Sequence, residues 1–131
     1  MGPVTERIPL HLLAPDGAAV RLETDWRYQP DDPYAVSLDF GPRAAGAGWV
    51  LSREMLLAAL HGPVGEGDLH FAPVDDGLLC LVLGGAGGSV VLTVECAAIA
   101  AFLTATLELV PLGGESERID WDRELAGLLS A

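Results

Sequence analysis

Along residues 6 to 14, Glu-Arg-Ile-Pro-Leu-His-Leu-Leu-Ala, the apolar side chains Ile8, Leu10 and Leu12 recur at every second position, the spacing of a half-buried strand. Pro9 has no N–H to give to a neighbour and predicts an edge position for that strand. Pro15-Asp16-Gly17 carries turn chemistry. From Ala18 to Tyr28 the alternation is the clearest in the chain, with Val20, Leu22, Thr24, Trp26 and Tyr28 set against Arg21, Glu23, Asp25 and Arg27. These two strands are expected to pair as a hairpin.

The next strand, Tyr34 to Phe40, is approached through Pro30-Asp31-Asp32-Pro33, where each proline restricts the backbone and pushes the residue before it to extended geometry. The stretch reads as a rigid corner that aims the strand, with recognition a secondary role. A Gly/Pro/Ala loop through residue 48 leads to a short strand, Trp49-Val50-Leu51. Ser52 then caps a helix reaching about Leu60, with Leu51 and Leu56 spaced as a hydrophobic staple, and Gly62-Pro63 ends it.

Gly67 to Val74, Leu78 to Leu83 and Ser89 to Val94 read as a meander of three strands, turned by Asp75-Asp76-Gly77 and by a glycine loop from Gly84 to Gly88. From Glu95 the period becomes helical, placing Ile99, Phe102, Leu103, Thr106 and Leu107 on one face. Asp120 caps a last helix with Trp121, Leu125, Leu128 and Leu129 as its apolar stripe. The order ββββαβββαα predicts an α+β fold of antiparallel sheets packed with helices, in one domain spanning residues 1–131. The two halves share an order of elements, as an internal duplication would leave, although their residues do not match.

Composition narrows the function. The chain has 131 residues, suited to one core. Half of them are hydrophobic, yet no apolar run reaches the ~18 residues that span a bilayer, so direct membrane insertion is not expected. The first residues lack a basic region followed by an apolar one, which makes the cytoplasm the expected compartment. Nineteen acidic residues against 7 basic ones give a net charge of -12, and all the cations are Arg. A lysine-free chain has no P-loop lysine, no Schiff-base lysine and no Ser-Lys dyad. Its charge repels phosphate backbones and anionic membranes.

Local chemistry is sparse. Cys80 and Cys96 sit in apolar contexts and read as buried free thiols. The glycines at 84 to 88 precede a β-branched strand, whereas a phosphate cradle needs a helix N-terminus behind it. His11, His61 and His70 lack metal-ligand spacing, so neither a metal nor a cofactor is expected. The carboxylate pairs Asp31/Asp32, Glu66/Asp68 and Asp75/Asp76 fall in turns, where Asx side chains bond local amides. Ser37 and Ser52 lack a nucleophile elbow, and no catalytic residue is assigned. Trp26, Trp49 and Trp121 could stack on bases, but the basic funnel that single-stranded nucleic acid requires is missing, which leaves core or subunit-interface roles.

Three stretches, WRYQPDDPYAV (26 to 36), WVLSREMLLAALHGPVGEGDL (49 to 69) and VPLGGESERIDWDREL (110 to 125), occur in the order and at about the spacing of one family. Through them the chain resembles the SsgA-like sporulation and cell-division proteins of actinobacteria, SsgB-type members or a related paralogue. The resemblance implies a Whirly-like fold, a homotrimer and a non-enzymatic role in which the chain, with other SsgA-like proteins, binds and helps position FtsZ at division septa. It identifies no partner-binding residues. Two positions depart from the family pattern: Ala72-Pro73 stands where the family tends to have Trp-Pro, and the loop 41 to 48 is less polar. A Whirly-like fold would also permit a single-stranded nucleic-acid-binding module, the reading that the net charge opposes.

Overall fold

The computed structural model describes residues 2–41, 48–85 and 88–115. Strands β1 (Val4–Leu13) and β2 (Ala19–Tyr28) pair antiparallel along their whole length, from Val4 opposite Tyr28 to Leu13 opposite Ala19. The expected hairpin is there, and Asp16 Oδ1 accepts the Ala18 N–H at its tip (2.9 Å). Strands β3 (Ala35–Asp39) and β4 (Gly48–Ser52) continue the meander, and helix α1 (Arg53–Ala59) follows directly. The second half runs β5 (Val64–Glu66), β6 (Leu69–Val74), a single 3-10 turn at Asp75–Gly77, β7 (Leu78–Gly85), β8 (Gly88–Glu95) and helix α2 (Cys96–Leu109).

Three sequence expectations need correction. The second half has four strands, because Gly67 adopts a left-handed φ of 59° and folds what reads as the start of one strand into a β5–β6 hairpin. Both halves therefore have the order ββββα among the described residues. The glycine loop is also shorter than expected, since β7 and β8 stay paired up to Gly85 opposite Gly88. Finally, the strands form a single antiparallel sheet in the order β4-β3-β2-β1-β8-β7-β6-β5, in which β1 is interior. Pro9 is accommodated because the β1–β8 ladder covers only His11, Leu12 and Leu13. At Pro9 itself the strand has a neighbour on the β2 side alone. The last helix read from the sequence, starting at Asp120, lies outside the described residues.

Period-2 alternation decides which face is buried. Leu10, Trp26, Tyr28, Val36, Leu79, Leu81 and Leu92 point inward, with Arg7, Arg21, Asp25 and Arg27 on the outside. Helix α2 lies over β1 and β8 in the middle of the sheet, and α1 touches β4 at one edge and β5 and β6 at the other. One short helix can reach both edges only if the sheet curls around it, so the sheet is a half-barrel closed by helices on its inner side. Trp26 meets Phe102 of α2 edge to face, with ring centroids 6.0 Å apart. Its Nε1–H donates to Thr24 Oγ1 (2.9 Å), whose hydroxyl donates to the Ile8 carbonyl (2.6 Å).

Arg53 fixes the two helices to the sheet. It is the first residue of α1 and only 1% exposed. Its Nη1 donates to the Thr106 and Val110 carbonyls at the C-terminus of α2 (3.2 and 2.7 Å), and its Nη2 to Glu115 Oε1 (2.8 Å). The guanidinium carbon lies 5.0 Å from the centre of the Tyr28 ring. The Thr106 carbonyl also accepts the Val110 N–H (2.8 Å), and a cation at a helix C-terminus is favoured both by hydrogen bonding to its last carbonyls and by the macrodipole.

The corner at residues 30 to 33 is tied by two hydrogen bonds: the Asp32 N–H donates to the Gln29 carbonyl (3.1 Å), and the buried Pro33 carbonyl accepts the Tyr28 hydroxyl (2.9 Å). Ser52 caps α1 as its position predicts, its hydroxyl accepting the Met55 N–H (3.1 Å), and the staple residues Leu51 and Leu56 are both buried. Ser52→Ala should lower the unfolding free energy by about 1 kcal/mol and Ser52→Gly by only a few tenths, measured by urea denaturation. Equal losses would show that the hydroxyl is not the cap.

Candidate functional site

The strands of the first hairpin are 10 residues long, and α1 is 7. The helices therefore cover the inner face under Trp26 and Tyr28 and leave its far end uncovered. There Leu12, Leu22, Phe40, Trp49, Leu83 and Val90 surround an open cavity of about 430 Å³, with Gly84 and Gly88 at its lip. Exposure rises toward this mouth: Leu10 is fully buried, while Val20 is 48% and Val90 44% exposed. A second hollow of about 530 Å³ shares Leu12 and Val90 and continues over Leu13, Pro15 and Val91 at the ends of β1 and β8.

The mouth is apolar because Leu12, Leu22, Trp49, Leu83 and Val90 occupy the inward-facing parity of their strands beyond the reach of a helix, whereas Leu13 and Val91 of the adjoining hollow have the opposite parity. Among the described residues, charge is confined to the surroundings. Asp39 directly precedes Phe40 and holds the Gly41 N–H (2.8 Å). The Asp68 carbonyl accepts the Gly84 N–H (2.6 Å), and Asp16 sits at the β1–β2 tip next to Pro15. All three side chains are exposed. Arg21, on the outer face of β2, is bridged to Glu23 (2.8 Å).

The carboxylate pairs do not converge. Asp31 and Asp32 lie in the exposed β2–β3 connection, and Asp75 and Asp76 in the exposed β6–β7 turn, where Asp76 has a left-handed φ of 64°. Strands β1 and β8 separate the two turns in the sheet. Glu66 and Asp68 flank Gly67 in the β5–β6 turn. Ser37 is an exposed outer-face residue of β3. His11, His61 and His70 are exposed on β1, after α1 and on β6. Among the described residues no three His, Cys, Asp or Glu gather as metal ligands. Cys80 and Cys96 are free thiols, half-buried rather than fully so.

Of the tryptophans, Trp26 is core, Trp49 stands half-buried at the mouth, and Trp121 lies outside the described residues. Ala72 is half-buried opposite Cys80 and borders a hollow with Pro63, Val64 and His70. Sequence reasoning missed the mouth. Its one local signal was that inward-facing apolar positions continue along β1, β2 and β8 for more residues than the paired helices can cover.

No helix among the described residues is long and apolar enough to cross a membrane. Residues 22–115 match the family model described as Streptomyces sporulation and cell division protein, SsgA. The sporulation-specific cell division protein SsgB of Frankia casuarinae is 36% identical over 130 residues, covering 96% of this chain and 91% of the relative. The protein of the same name from Thermobifida fusca is 35% identical, with 97% and 95% covered. Among solved structures, the SsgA-like sporulation-specific cell division protein of Thermobifida fusca superposes with a TM-score of 0.86 at 34% identity, covering 95% of this chain and 94% of the other. SsgB of Streptomyces coelicolor, whose mutations correlate with longitudinal cell division during sporulation, superposes with a TM-score of 0.82 at 29% identity and covers 88% and 94%.

Proposed function

The chain belongs to the SsgA-like family of sporulation and cell-division proteins, and from that membership we propose that it is a non-enzymatic adaptor that binds FtsZ and helps position it at division septa. The observation that carries this reading is full-length similarity to proteins named SsgB, in sequence and in fold together. The adaptor works in the cytoplasm, alongside other SsgA-like proteins, as a homotrimer of Whirly-like subunits. Multivalency supplies the physical logic: three weak sites held together engage a filament of repeating subunits far more firmly than one. A net charge of -12 favours a polypeptide partner over an oligonucleotide.

Co-sedimentation with FtsZ polymers tests the reading. The chain should enter the pellet with polymerised FtsZ at physiological salt and stay in the supernatant without it. Light scattering should give three times the chain mass. No enrichment in the pellet, or a strict monomer, would remove the adaptor or its multivalency respectively.

A further inference from the structure

We draw no further inference here: the strongest candidate, the apolar mouth at the ends of β1, β2 and β8 with the hollow that continues from it, is an unpartnered surface, and nothing in the structure shows what covers it.

Discussion

Arg53→Ala should lower the unfolding free energy by roughly 3 kcal/mol, measured by urea denaturation of the full chain. The magnitude follows from what the guanidinium leaves behind. Two carbonyls at the C-terminus of α2, those of Thr106 and Val110, lose their charged donor, and the space beside Tyr28 loses its filling. Glu115, by contrast, can rehydrate. Its carboxyl lies below the usual carboxylate range, held there first by its own backbone N–H and then, against the opposing effect of burial, by Arg53 and the Gly113 N–H.

Glu115→Ala should therefore cost clearly less than Arg53→Ala. Equal losses would mean that the ion pair, rather than the capping of α2, carries the energy. Arg53→Lys should recover only part of the loss, because a single ammonium cannot fork to both carbonyls and the carboxylate. The pH dependence has a fixed sign: a carboxyl whose pKa is depressed by folding contributes fully above its unfolded value near ~4.3 and loses that contribution as the pH falls through the folded value.

Trp26→Ala should be the other severe change, costing about 3 to 5 kcal/mol, a large part of the ~5 to 15 kcal/mol that holds a domain together. Trp26 is fully buried where β2 passes beneath α2, so its removal opens a cavity between sheet and helix and also deletes the edge-to-face contact with Phe102. Trp26→Phe should cost roughly half as much, since it keeps an aromatic against Phe102 and loses the donor to Thr24. Thr24 stays bonded to the Ile8 carbonyl, so the smaller change leaves no hydroxyl proton stranded. A loss below about 1 kcal/mol for Trp26→Ala would show that α2 is not anchored through this contact.

The features legible in the sequence are the ones written locally. Alternation along β1 and β2, the Ser52 cap, the Leu51–Leu56 staple and the Pro30–Pro33 corner each depend on neighbours within a few residues, and each is where the pattern puts it. The three family motifs, spread from residue 26 to 125, made the family readable as well. Three-residue β5 was lost because its turn glycine looked like the start of the next strand. The single sheet was not legible because β1 meets β8 across most of the chain, and nothing near His11 announces Thr93 as its partner. Nothing in the sequence around Arg53 announces its burial, and only the return of α2 and Glu115 over it makes it core. The mouth escaped for a related reason, since apolar parity marks which side chains face inward but not how far a helix extends over them.

The meeting of β1 and β8 also governs how the chain is made. His11 leaves the ribosome long before Thr93 exists, and at about 5 to 20 residues per second the wait is on the order of ten seconds. Throughout that interval the nascent hairpin presents a raw flank able to recruit stray polypeptide. Pro9, which has no amide proton to offer along that flank, is well placed to blunt such mispairing until the last strand is synthesised.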